Sequence, residues 1–222
     1  MSCLKSPKEL LIASRKYASE NVWVSLWHVI STTIVWLALV VAVFSLESMQ
    51  WKMVTSIVLG LVHVRLFVIY HDYQHGAILK NSKFIRAYMF VFGLLTLSPP
   101  SVWKRSHNHH HKNNAKLYGA SIGSYPVMTT KDYAEAPFLR RIQYRLARHP
   151  LFIGLGYVTV FFLGMCIRPL FLNPKRHWDA VLSVIVHAAI YVGLAMTNNP
   201  SDIVYVMVIP MAVAAGMGSY LF

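Results

Sequence analysis

Charge is what this 222-residue sequence lacks most. Charged residues are only 13% of it, about half the share of an ordinary soluble domain. Acidic residues are the scarcer kind, 8 against 21 Lys and Arg, for a formal net charge of +13. Hydrophobic residues reach 56%, more apolar surface than a soluble sphere of this size can hide, so lipid is the expected solvent. Cysteine is nearly absent: Cys3 and Cys166 are far apart and make neither a disulfide framework nor a thiolate metal site. There is no glycine-rich dinucleotide fingerprint, P-loop, internal repeat or low-complexity tract. With 13% aromatics and only 10 Pro, disordered and collagen-like chains are excluded. A basic excess in a soluble protein would suggest nucleic acid. Beside long apolar runs it marks a face held against an anionic membrane, and no nucleic-acid partner is expected.

What is present is a series of apolar runs. Val22 to Phe44 carries no charge over 23 residues, enough to cross a bilayer core of about 30 Å. It follows a basic start (Lys5, Lys8, Arg15, Lys16) but is too long for a secretory signal and lacks a cleavage site, so it reads as a spanning helix. Trp51 to Tyr70, interrupted only by His63 and Arg65, is a second span, and the short Glu47–Lys52 link makes the two a hairpin. A polar stretch from His71 to Pro150 holds 12 of the 21 basic residues. Inside it Phe84–Leu97 is too short to span and reads as re-entrant or interfacial. Tyr133–Arg148 mixes four arginines with apolar residues and reads as one surface helix against lipid headgroups. Leu151–Ile167 is expected to enter and return on one side, and Ala180–Met196 with Ile203–Phe222 to form a second spanning hairpin. This arrangement puts 19 of the 21 basic residues in cytoplasmic segments. Lys52 falls outside, and Arg65 lies close enough to the inner end of its helix to snorkel. The expected architecture is an all-α integral membrane protein, a single domain over residues 1–222. It has two spanning helical hairpins plus re-entrant or interfacial helices.

Six of the 11 histidines fall in two clusters inside the basic stretch. In His71-Asp72-Tyr73-Gln74-His75, helical geometry puts His71 and His75 at i and i+4, on one side. In His107-Asn108-His109-His110-His111, the same geometry gathers His107, His110 and His111, while His109 points elsewhere. Imidazole-dominated sets suit Zn, Fe, Cu or Ni. A structural zinc site needs four ligands and usually includes thiolate, so five histidines without a nearby cysteine favour more than one metal ion. Asp72 can accept a hydrogen bond from the second nitrogen of a ligand histidine, or can equally be solvated. His63 lies two turns before His71 on the same face and is either functional or a neutral histidine bonded between helices. His187, in a later apolar run, reads the same way. Pro99-Pro100 ends the short apolar helix, and Trp103, Lys104 and Arg105 read as interfacial anchors.

The two clusters resemble the first two histidine boxes, H-x-x-x-H and H-x-x-H-H, of the membrane fatty acid desaturases. The similarity runs from about Trp51 to the end of the sequence and looks like the acyl-lipid, delta-12-type branch. The resemblance implies that His71, His75, His107, His110 and His111 ligate two non-haem Fe ions at the cytoplasmic face. It also implies an oxidoreductase that uses O2 and two electrons to introduce a double bond into a lipid- or thioester-linked fatty acyl chain. The electron donor would be a protein such as ferredoxin or cytochrome b5, and Lys104 and Arg105 are candidate docking residues for it. An unactivated methylene offers no acid, base or leaving group, so the cofactor must carry the chemistry. The family's third box, H-x-x-H-H, is absent, and His149, His177 and His187 have no box spacing. The sequence therefore reads as a desaturase truncated before that box, which is expected within about 100 further residues if the helical layout continues. The alternatives are a hydroxylase or ketolase on the same scaffold, or a non-catalytic membrane metal-binding or transport protein.

Overall fold

Backbone amides in lipid must bond within their own segment, so long apolar runs fold as helices. Among the residues that the computed structural model describes (6–113, 116, 127–196 and 199–221) there are helices and connections but no strands. Cys3, Lys5 and Phe222 lie outside the described residues. Helix α1 (Pro7–Ser14) opens with a capping box between Ser6 and Glu9. Helix α2 (Val22–Ser45) is capped by Asn21, whose Oδ1 accepts the N–H groups of Trp23 and Val24. Then come α3 (Met49–Gln74), α4 (Lys83–Leu95), α5 (Pro100–Lys112), α6 (Thr130–Glu135), α7 (Phe138–Ala147) and α8 (Pro150–Gly154). A π-helical stretch, Tyr157–Ile167, runs on into α9 (Arg168–Leu172) and is followed by α10 (Trp178–Ala195). A second π-helical stretch, Val204–Val208, leads into α11 (Ile209–Leu221). Helices α2, α3 and α10 are each long and apolar enough to cross a membrane; α4 and α5 together would be a fourth, bent by 88°. Large apolar side chains such as Trp23, Ile34, Val41 and Ile185 are exposed around the bundle. That surface suits hydrocarbon, and the chain is an all-α membrane protein.

Helix α3 is the central element, packed along α2 on one side and α11 on another. Gly60 permits the second contact: a Cβ there would lie 2.7 Å from Val213 Cβ and 2.9 Å from the Pro210 carbonyl oxygen. Small residues at such crossings let two backbones approach. Gly60→Ala is therefore expected to destabilise the protein by about 1–3 kcal/mol, the usual cost of overpacking. Thermal unfolding in detergent measures it, and an unchanged midpoint would contradict the close approach. The start of α3 is also tied to the segment entering α11 by Lys52 Nζ and Asp202 Oδ1, 2.6 Å apart and nearly fully buried. Both inter-helix connections, α2–α3 and α10–α11, thus lie at one end of the bundle. His71 is 19 residues along α3 from Lys52, or about 28 Å at 1.5 Å per residue. The histidines are at the other end.

Three regions differ in detail from the apolar pattern. The predicted surface helix Tyr133–Arg148 is two helices, because Pro137 holds Ala136 extended (φ −68°, ψ 142°) and breaks the run. The last two apolar runs find their main partners elsewhere: α10 packs on α4 and α11 on α3. Leu151–Ile167 starts as the short α8 and then widens into the π-helical stretch rather than continuing as one α-helix. Helix α4 ends in a tight reversal with Leu97 at φ 53°. Ser98 N–H reaches back to Gly93 O at 2.8 Å and Leu97 N–H to Leu94 O at 3.3 Å. Glycine normally takes that left-handed position. Here burial of the Leu97 side chain against Phe161, Cys166 and Ala215 holds it.

Candidate metal centre

Two helix ends build the site. His71 lies in the last turn of α3, and His75 caps the helix by donating its N–H to His71 O. Gly76, at φ +68°, closes the helix in a conformation other residues adopt at a cost, and Ala77 N–H returns to Asp72 O. The second cluster rides on α5, which the Pro99-Pro100 break turns 88° away from α4. Tyr70, fully buried beside His71, donates its hydroxyl to Ser98 O at 3.0 Å and so fixes the end of α3 to that bend. Asp179 of α10 anchors the base of α5: its carboxylate accepts Ser101 N–H at 2.8 Å and Ser101 O–H at 2.6 Å. The Ser101 hydroxyl oxygen in turn lies 2.7 Å from His177 Nδ1. A carboxylate at a helix N-terminus satisfies free amides and meets the positive end of the dipole.

Four histidine nitrogens converge between these ends. The Nε2 atom of His107 is 2.9 Å from Nε2 of both His75 and His111, and His75 Nε2 is 3.3 Å from His71 Nε2. One ligand atom from each of the four histidines lies within 4.8 Å of all the others. A carboxylate oxygen accepts, and Asp72 Oδ1 is 3.0 Å from His71 Nδ1. That contact places the His71 proton on Nδ1 and leaves a lone pair on Nε2, facing the cluster. Burial, reinforced by the surrounding imidazoles, pushes the His107 pKa down to about 3. His75 is also lowered, first by burial and then by His71 and His111, with Asp72 opposing. Imidazoles crowding their nitrogens around one point form a donor set that a cation satisfies. These four residues can hold a metal ion.

His110 stands outside this group. Its ring stacks on that of His107 at a centroid distance of 6.3 Å and meets that of His111 edge-on at 5.7 Å. Trp103, expected at the membrane interface, is buried instead. It lies one turn before His107 on the inward face of α5 and stacks on that ring at 4.3 Å, with Phe67 and Tyr70 behind it. Spacing four before a histidine was the signal for this placement. Asp179, Ser101 and His177 left no such signal, because their contact joins segments 76 to 78 positions apart. His63 is buried between helices, with Nδ1 accepting Trp36 Nε1–H at 3.3 Å. His187 Nδ1 faces Ser183 O at 3.2 Å. A cavity of about 240 Å³ leads from His71 and Asp72 into the bundle between α3, the Tyr157–Ile167 stretch and α11, lined by Phe67, Phe161, Met211 and Ala215.

The fold and site together define a helical membrane protein with a histidine cluster able to hold a metal ion at one end and an apolar chamber beneath it. The model of the family described as fatty acid desaturase matches residues 49–222. The chain belongs to the fatty acid desaturase family. A protein named fatty acid desaturase from Bacillus subtilis (strain 168) is 34% identical over 101 residues, which is 45% of this chain and 28% of that relative. The chain thus spans well under two thirds of the length of the curated relative it matches. No solved structure matches.

Proposed function

We propose that this protein is the metal-binding membrane portion of an O2-dependent acyl desaturase, with iron held by the two histidine boxes. The observation that carries the reading is the convergence of His71, His75, His107 and His111 directly over an apolar cavity. The all-nitrogen donor set fits iron in a redox role, and His110, one ring away, is the candidate for a second ion. Bound iron would supply the oxidising chemistry that an unactivated methylene demands. The chain's own residues bind and orient. Asp72 fixes the His71 tautomer, Trp103 sets the plane of the His107 ring, and Asp179 holds the helix that carries His107 and His111. Phe67, Phe161, Met211 and Ala215 give a fatty acyl chain a water-free path up to the histidines. The excess of Lys and Arg in the segments flanking the site supports a cytoplasmic location and multi-pass topology. Exposed Lys104 and Arg105 suit an acidic electron-donor protein.

Product analysis with isotope-labelled acyl lipids tests the reaction. Loss of two hydrogens with a new double bond is the expected result. An inserted oxygen would assign hydroxylation or ketolation instead, and bound metal with no lipid product at all would favour a non-catalytic metal protein. The role of Asp72 has a separate measure. Asp72→Ala is expected to weaken iron binding about 10–100-fold, as loss of a partner that orients a ligand histidine does. Titration with ferrous iron measures the change, and an unaltered affinity would leave Asp72 merely solvated.

A further inference from the structure

A second polar cluster lies on the lipid-facing side of the hairpin and includes none of the site's histidines. Arg65 of α3 is exposed on the surface of a helix long and apolar enough to span a membrane. Its Nε donates to Thr32 Oγ1 at 3.0 Å, and its Nη2 donates to His28 Nδ1 at 3.3 Å. Neither partner, a hydroxyl and an imidazole of α2, supplies a negative charge, so they orient the guanidinium without neutralising it. Among the described residues no carboxylate lies within ion-pair distance of Arg65. The rest of its fork of N–H donors has no protein partner among the described residues and faces outward. A lone cation in hydrocarbon is costly, and one held in a fixed orientation on that surface calls for an anion from outside the protein.

The surroundings indicate which anion. His28 is six residues from the start of α2, so the cluster lies about 9 Å below the helix end, within reach of a snorkelling arginine. Exposed Trp23 and Trp27 mark the membrane interface at that end. Deeper along the same helix faces, Val35 of α2 and Leu61 and Val58 of α3 are exposed and uniformly apolar. A cationic fork above an exposed apolar helix face matches a headgroup phosphate with acyl chains below it. We propose that Arg65, oriented by Thr32 and His28, binds the phosphate diester of a phospholipid lying against the exposed faces of α2 and α3, in the leaflet nearest the histidine cluster.

Native mass spectrometry of the 222-residue chain in non-ionic detergent, titrated with phosphatidylglycerol, tests this. The expected result is a retained lipid adduct in the unaltered protein, reduced about tenfold in Arg65→Gln. Diacylglycerol with the same acyl chains, lacking the phosphate, is expected to give no adduct. Arg65→Lys keeps the charge but loses the fork, and is expected to bind several-fold more weakly than the unaltered protein. Three outcomes would each overturn the proposal: diacylglycerol bound as well as phosphatidylglycerol, inorganic phosphate displacing the lipid at equal concentration, or equal adducts in properly folded Arg65→Gln. The first two comparisons use the unaltered chain and stand even if a variant fails to fold.

Discussion

His107→Ala is expected to strip the protein of its metal, with iron per chain falling at least tenfold after reconstitution with ferrous iron. No other residue is so central to the cluster: its Nε2 lies 2.9 Å from two partner nitrogens, and its ring is buried. Removing the outer partner of a ligand costs 10–100-fold in metal affinity, and removing a donor at the centre should cost no less. Elemental analysis of the purified variant reads the effect, and His109→Ala is the control. His109 lies on the same helix but outside the four-nitrogen group, and its replacement is expected to leave iron content intact. Unchanged iron in His107→Ala would remove the metal assignment. Loss in both variants would point to a general collapse of α5.

A comparably large effect is expected at the opposite end of the bundle. Lys52→Met leaves the Asp202 carboxylate buried without its cation and should destabilise the protein by about 3–5 kcal/mol. The two charged atoms are 2.6 Å apart, and the side chains are only 7% and 8% exposed, so solvent cannot replace the missing partner. Asn199 Nδ2, at 3.4 Å from the same oxygen, is too distant and uncharged to substitute. The double replacement Lys52→Met with Asp202→Leu should recover most of the loss, because an apolar pair needs no compensation there. Unfolding midpoints of the single and double variants in detergent decide the matter. Equal stability of Lys52→Met and the unaltered protein would show the pair to be solvated.

How much of this was readable in advance follows from the range of each interaction. The first two spans begin and end within a few residues of the helices α2 and α3, because an uncharged run of that length has few other ways to satisfy its backbone. Each histidine pair at i and i+4 faces one side, as the helical repeat requires. That the two pairs combine into one site was suggested by their shared basic segment and their number as well as by the resemblance, but how they meet depends on the 88° bend and on Tyr70 bonding to Ser98. Contacts across longer separations left no trace in the pattern. The Asp179–Ser101 anchor looks in sequence like an ordinary charge and an ordinary serine. Trp103 was misplaced because tryptophan beside lysine and arginine is the usual signature of an interface. Its inward position depends on the face of α5 that meets α3. The break at Pro137 was legible in principle, and the regular spacing of arginines and leucines on either side obscured it.

Trp103 also gives the protein an intrinsic optical gauge. Of the tryptophans, it alone is stacked face to face on an imidazole of the cluster, 4.3 Å away, while Trp23, Trp27, Trp51 and Trp178 face outward. A paramagnetic ion captured by those nitrogens would sit within range to quench its emission, leaving the peripheral indoles bright. Occupancy could then be followed by fluorescence in intact bilayers, without extracting the molecule or attaching a dye.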